Sequence, residues 1–416
     1  MSTIRGMHGF LASSIGVTCA AALALPLTPP AAAAVPPPAP AAAPAASAEA
    51  SAEASVSGST RSLPLRPLAR DRAAGPAEQG VTRRDVPPFS LVGVVWDDPD
   101  SALHGSAQVR VRDTGTGAWS DWQDLDTHNA DHGADPGTTE RGSDRVRGAT
   151  APLWVGDSDG VELRVRADDD DPWWGLPEGL RLELVDPGLG ATREEEAAAT
   201  GQATPEPATY AQAKPHIGPR PGIVTRRGWG ADEGLREKGF KYTKKVKAAF
   251  VHHSATGNNY TCAQAPSVIR GIYRYHVRSM GWRDIGYNFL VDKCGKIYEG
   301  RAGGVAKPVL GAHTLGFNSD SMGIAVLGTY STKKPSAKAV KGVARLAAWK
   351  LGLYGMNPRG KTYLKSGGGN LYRKGKNVRL NVISGHRDGF NTSCPGAQLY
   401  KKLGTARSTA AKYQGR

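Results

Sequence analysis

Phe250-Val251-His252-His253-Ser254-Ala255-Thr256 and, farther along, Ser384-Gly385-His386-Arg387-Asp388, with Thr392, Cys394 and Pro395 close behind, are the stretches on which the reading of this chain turns. The first closes a mostly apolar run from Val246 to Val251, and the second follows another from Leu380 to Ile383. Short apolar runs of this kind predict buried strands that deliver their last side chains to a sheet edge. Cys394 comes eight residues after His386 on a stretch marked by Gly389, Asn391, Pro395 and Gly396, which predicts a loop able to fold back. A catalytic zinc takes three protein ligands of the His, Cys or carboxylate kind and keeps one position open for water. His252, His386 and Cys394 can supply that set. No paired CxxC or HExxH spacing accompanies them, so the residues alone also fit a strand-end histidine beside a small buried thiol.

Between these stretches lie Gly281-Trp282-Arg283-Asp284-Ile285-Gly286-Tyr287-Asn288-Phe289, Tyr298-Glu299-Gly300-Arg301 and Gly311-Ala312-His313-Thr314, and Arg227-Gly228-Trp229-Gly230-Ala231 precedes them. In this order, over residues 221–416, the segments resemble the peptidoglycan recognition protein family, whose members are similar to phage-type zinc amidases that cut N-acetylmuramoyl-L-alanine. The resemblance implies Zn2+ held by His252, His386 and Cys394, with His253 a non-ligand beside the substrate. It implies Tyr287 and Thr392 as catalytic residues, and His313, Trp282 and Arg301 as substrate contacts. Ala302-Gly303 follows Arg301 where the family often has Gly-Trp. The implied reaction is hydrolysis of the lactyl amide between muramic acid and L-alanine; the alternative is a catalytically weak peptidoglycan-binding module.

A chain of 416 residues is too long for one ordinary core, so several domains are expected. Residues 1–34 read as a secretory signal: Arg5, an uncharged apolar run from Phe10 to Leu27, then Ala31 to Ala34. Ser13, Ser14, Thr18 and Pro26 interrupt that run, which argues against a retained membrane anchor. Residues 35–87 read as a Pro/Ala-rich disordered spacer. Residues 88–187 show short alternating runs, at 89–96, 107–112, 118–125, 151–155, 161–167 and 181–185, and predict an all-β sandwich-like accessory domain. Its tryptophans, Trp96, Trp119, Trp122, Trp154, Trp173 and Trp174, fit either core packing or a sugar-stacking platform. The acidic run from Asp168 to Asp171 reads as a solvated turn rather than a calcium site. With tryptophans but no catalytic set, the sandwich is expected to be separable and to direct the chain to wall polymer.

Residues 188–220 read as a linker, and 221–416 as an α/β domain with a central mixed sheet flanked by helices. Helices are expected over 267–279, with His276 in the core, over 336–353 and over 398–413; strands are expected over 285–291 and 322–327. Lys361 to Lys376 reads as an exposed loop or hairpin. Charge divides sharply: residues 1–220 hold 18 Lys/Arg against 30 Asp/Glu, and 221–416 hold 35 against 8. The C-terminal half is therefore expected to be drawn to anionic cell-wall polymers, and no nucleic-acid recognition motif accompanies its charge. Of the four cysteines, Cys19 departs with the signal and Cys394 goes to the metal. In an oxidising compartment Cys262 and Cys294 are then expected to pair. Together these features place the protein outside the cell, associated with the wall.

Overall fold

The run Phe-Ser-Leu-Val-Gly-Val-Val-Trp at 89–96 is buried at every position, whereas a sheet with one wet face buries only alternate residues. Both faces of this strand are covered. The computed structural model describes residues 58–68, 78–168, 175–189 and 216–416. Its first half is an antiparallel system of β1 (Ser59–Pro64), β2 (Arg66–Pro67), β3 (Glu78–Arg83), β4 (Phe89–Trp96), β5 (Gly105–Asp113), β6 (Gln123–Leu125), β7 (Gly148–Ala149), β8 (Leu153–Ala167) and β9 (Arg181–Asp186). The order is β1-β9-β4-β8-β3-β2, with β5 and β6 joined through β8 and β7 added to β4.

The long β8 serves two layers. Its start pairs with β4, and its later part pairs with β5 and β3. Val92, Val94, Leu182 and Leu184 thereby face Val109, Val111, Val161, Leu163 and Val165 across one core. The alternation in β5 appears as alternating burial. The runs expected at 151–155 and 161–167 prove to be one strand, and of 118–125 only 123–125 is a strand.

The spacer expected over 35–87 is also corrected. β1, β2 and β3 lie within it, because the backbone of Ser59–Pro64 completes the ladder of β9 and that of Glu78–Arg83 the ladder of β8. Pairing of this kind needs few apolar side chains, so composition hides it. The signal at 1–34, Cys19, Trp173, Trp174, Asp169 to Asp171 and most of the linker lie outside the described residues.

The second half is built on a six-stranded mixed sheet in the order β10-β13-β12-β14-β11-β17. These are β10 (Ile223–Val224), β11 (Ala248–His253), β12 (Phe289–Val291), β13 (Ile297–Glu299), β14 (Ser321–Val326) and β17 (Ile383–Gly385). Only the β12–β13 pair is antiparallel. The strand expected over 285–291 is confined to Phe289–Val291, so Tyr287 lies in the irregular lead-in. β15 (Lys361–Lys365) and β16 (Asn377–Asn381) form the hairpin read from the basic stretch.

Helix α1 (Ala265–Arg274) continues as a wider turn over Tyr275–Ser279, and its Val268, Ile269 and Ile272 join Leu290, Ala325 and Leu327 of the sheet. Helix α2 (Ala337–Gly352) and helix α3 (Leu403–Tyr413) pack with Val251, Val291, Ile324 and Val326, the residues of the opposite face. Ser336 caps α2 by accepting from the Ala339 N–H at 3.0 Å, a contact worth about 1 kcal/mol. Cys262 and Cys294 are bridged, tying the segment before α1 to the turn after β12.

The two halves share a core, which corrects the expectation of a separable accessory module. Leu91, Val95 and Val185 on the outer face of β4 and β9 belong to the same apolar cluster as Ile269, Ile272 and Tyr275. The Tyr275 hydroxyl donates to the carbonyls of Val94 at 3.3 Å and Thr150 at 3.1 Å. Ser279 donates to the Glu183 carboxylate at 2.8 Å, and Arg270 reaches the carbonyls of Pro187 and Gly188. Gly93 makes this approach possible, since a Cβ there would stand 2.4 Å from the Tyr275 hydroxyl. Gly93→Ala is therefore expected to destabilise the whole chain by about 1–3 kcal/mol through overpacking, read as a lower thermal midpoint that moves both halves together.

Candidate metal centre

The site lies at the carboxyl ends of two neighbouring parallel strands, where open α/β sheets commonly bind ligands. β11 and β17 pair so that Val251 stands opposite Gly385. The next residue on each strand is a histidine, His252 and His386, and their rings meet with centroids 4.4 Å apart. The turn after β17 is held by Asp388, which accepts from the Gly385 N–H at 2.9 Å and from the Tyr400 hydroxyl at 2.6 Å. The following loop folds back as its sequence predicts. Arg387 N–H donates to the Cys394 carbonyl, Cys394 N–H donates to Thr392 Oγ1 at 3.1 Å, and Cys394 Sγ comes within 3.8 Å of His252 Nδ1.

A fourth residue joins them. His132, on the connection between β6 and β7, is buried with its ring 4.6 Å from that of His386 and 5.3 Å from that of His252. One donor atom from each of His132, His252, His386 and Cys394 lies within 4.8 Å of all the others. Ligand atoms around a tetrahedral zinc stand roughly 3.3–3.8 Å apart, given bond lengths of about 2.0–2.3 Å. Small side-chain adjustments close that difference.

The hydrogen bonds show which atoms are reserved. His386 Nε2 donates to the Asp131 carbonyl at 3.1 Å, and its Nδ1 is buried without a hydrogen-bond partner, with Asp131 Oδ2 at 3.6 Å. His132 Nδ1 donates to Asp131 Oδ1 at 2.8 Å, and its Nε2 is likewise buried without a partner. His252 Nε2 approaches Thr314 Oγ1 at 3.4 Å, turning Nδ1 to the thiol. Metal-bound histidines engage their second nitrogen in this manner, which fixes tautomer and orientation. Burial holds the imidazoles of His252 and His386 well below their usual pKa, that of His386 at about 3, so both are neutral as ligands must be. Burial pushes the Cys394 thiol up, an effect that a dication beside it reverses. The residues fit a zinc ion.

Tyr287 stands beside this cluster with its ring 5.5 Å from that of His252, and burial raises its phenol well above the usual value, which keeps the proton on the hydroxyl. Thr392 accepts from the Cys394 N–H at 3.1 Å. His253 is buried on β11 but stands outside the cluster; its Nδ1 accepts from the Tyr330 N–H at 3.2 Å. His313 lies behind the ligands, with Nδ1 on Thr314 Oγ1 at 2.9 Å and its ring against Gly311 and Gly323, so that Thr314 links it to His252. Trp282 stacks on His276 at 4.5 Å, which places His276 in the core as its spacing implies. Arg301 is buried and paired through both terminal nitrogens with Glu140, at 2.8 and 3.0 Å. Asp131, His132 and Glu140 were not legible in the sequence, since they sit in a turn-rich stretch without periodicity, and Thr314 was legible only as part of a motif, without its role.

Residues 242–397 match the N-acetylmuramoyl-L-alanine amidase family, and residues 40–208 match a family described as an N-terminal galactose-binding domain-like domain. The peptidoglycan recognition protein of Trichoplusia ni is 30% identical over 183 residues, 44% of this chain and 85% of the relative. Peptidoglycan-recognition protein 1 of Holotrichia diomphalia is 32% identical over 166 residues, 38% of this chain and 80% of the relative. Among solved structures, peptidoglycan recognition protein-LE in complex with tracheal cytotoxin, a monomeric diaminopimelic acid-type peptidoglycan, aligns over 44% of this chain and 92% of its own at 30% identity, with a TM-score of 0.34. Through its C-terminal half, this chain belongs to the peptidoglycan recognition protein family.

Cys394→Ser is expected to bind zinc far more weakly, because a hydroxyl is a much poorer ligand than a thiolate. Elemental analysis after dialysis checks this, and a variant that retains one zinc per chain would remove Cys394 from the ligand set.

Proposed function

We propose that the chain is a zinc-dependent N-acetylmuramoyl-L-alanine amidase acting on peptidoglycan outside the cell. The observation that carries this reading is the convergence of His252, His386 and Cys394 on one point beside Tyr287, with the second nitrogen of each histidine already engaged. The relatives' names, peptidoglycan recognition proteins, supply the ligand class. Bound zinc supplies Lewis-acid polarisation of the scissile carbonyl and lowers the pKa of a water towards about 7.

The chain's own residues do the rest. His252 and His386 stay neutral and oriented, Thr314 and the Asp131 carbonyl fixing their tautomers. The Tyr287 hydroxyl, kept protonated by burial, donates to the oxygen on which charge develops. Thr392 fixes the Cys394 backbone and is within reach of the same space. His253, Trp282 and Arg301 are assigned to the sugar-peptide, Arg301 through its guanidinium. His313, expected at the substrate, is instead fully buried behind the cluster and supports His252 through Thr314.

The apolar leader at 1–34 and the Cys262–Cys294 bridge support export. Among the described residues no helix is long and apolar enough to cross a membrane. With 35 Lys/Arg against 8 Asp/Glu in residues 221–416, the catalytic half is suited to anionic wall polymers. Release of muropeptides from purified sacculi, abolished by a chelator and restored by zinc, tests the activity; a chelator-insensitive release would overturn the metal reading.

Tyr287→Phe keeps the ring and removes the hydroxyl. Turnover is expected to fall by roughly 10² to 10³, the cost of one such donor, with zinc content unchanged. Unchanged turnover in a zinc-loaded Tyr287→Phe protein would remove the hydroxyl from the mechanism.

A further inference from the structure

The 22 residues 126–147, between β6 and β7, contain no helix or strand. Connections of that length are uncommon in compact domains and mark lids or binding loops. This one belongs to the accessory domain and lies in the site of the catalytic domain. The geometry points to His132 as a fourth protein ligand of the metal, and to segment 126–147 as a plug that fills the substrate groove and holds the enzyme latent. The inference rests on the zinc amidase reading of the same site.

The plug engages the metal cluster and several of the residues assigned to substrate. His132 brings Nε2 to the cluster, with Nδ1 anchored on Asp131, the carboxylate–histidine arrangement that orients metal-bound imidazoles. A metal with three protein ligands keeps a position for water, whereas one with four protein ligands is closed, as structural zinc sites are. The Asp131 carbonyl accepts from His386 Nε2 and from the Leu315 N–H. Glu140 occupies the Arg301 guanidinium with both carboxylate oxygens. Gly133 packs beside Trp282, where a Cβ would stand 3.7 Å from Cζ2 of the ring. Between the plug, His253, Tyr287, Thr392 and Cys394 there remains about 10 Å³, the room of a single water and none for a sugar-peptide.

The plug and the domain that carries it are held differently. The accessory sheet meets the catalytic domain through apolar side chains of β4 and β9. Val146, at the end of the segment next to β7, stays in that apolar cluster; before it the plug is held by polar contacts: Asp135 accepts from the Gly316 N–H at 2.8 Å and from Asn318 Nδ2 at 2.6 Å, and Asn318 Nδ2 also donates to the Gly133 carbonyl. Water and ligand groups can replace polar partners at small net cost, but nothing in water replaces a shared apolar core. The segment therefore lifts while the domains stay docked, and substrate binding competes with it.

X-ray absorption at the zinc edge of the full-length, zinc-loaded protein reads the plug without reference to activity. The expected shell is three nitrogens and one sulfur in wild type, and two nitrogens, one sulfur and an oxygen from solvent in His132→Ala. Glu140→Ala keeps the imidazole and frees Arg301. A plug closed nine-tenths of the time lowers turnover about tenfold, so both variants are expected to hydrolyse soluble muropeptide about tenfold faster than wild type. A wild-type shell that already contains a solvent oxygen and two nitrogens would overturn the plug and leave the amidase reading intact. A three-nitrogen shell in wild type, with no hydrolysis by either variant, would uphold His132 as a ligand but sink the amidase reading and, with it, the latency. Wild type alone decides the coordination, whatever the folding of the variants.

Discussion

The site depends on one register: the parallel pairing of Val251 with Gly385 between β11 and β17. That pairing is the last between these two strands, so the histidine that comes next on each is delivered to the same edge. A slip of one residue would send one imidazole to the opposite face of the sheet. The register is protected by burial, since every residue of β11, β14 and β17 is buried and a slip would reverse which side chains meet α1 and which meet α2 and α3. The thiol arrives by a different route, through a loop whose turns are held by Asp388 and Thr392.

Around the ligands lies a shell of groups that decide how each is presented. Thr314 engages His252 and His313, and the Asp131 backbone engages His386. Asp131 comes from the accessory half, so the surroundings of the candidate metal centre are not complete within the C-terminal domain. The sharp division of charge between the halves takes on meaning here. Asp131, Asp135 and Glu140 come from the acidic half, and Arg301, which Glu140 pairs, from the basic half. Arg145 and Glu237 pair in the reverse sense at the rim, where exposed ion pairs contribute little.

The accessory sandwich is an integral part of the fold. β4 is covered on both faces, by its own domain through Val92 and Val94 and by the C-terminal domain through Leu91 and Val95. A domain that merely carried the enzyme to its polymer would keep one face in water. Trp96 and Trp154 are consumed in these cores, while Trp119 and Trp122 stack with Arg84, Arg110 and Arg164 on the outer sheet.

By itself the sequence determined the elements whose signal is local. The alternation at 107–112 and 161–167, the helix over 336–353 and the ordered motifs from His252 to Cys394 all carry their meaning in residues near one another, whereas 89–96, read as alternating, is buried at every position because a second domain covers its other face. Tertiary structure alone decided what depends on residues far apart. Backbone pairing drew Ser59–Pro64 and Glu78–Arg83 out of an apparently featureless spacer, because a ladder hydrogen bond does not depend on side-chain type. His132 lies 120 residues before His252 in the chain, in a stretch with neither period nor motif. Only the docking of one domain against the other brings its imidazole to the metal centre.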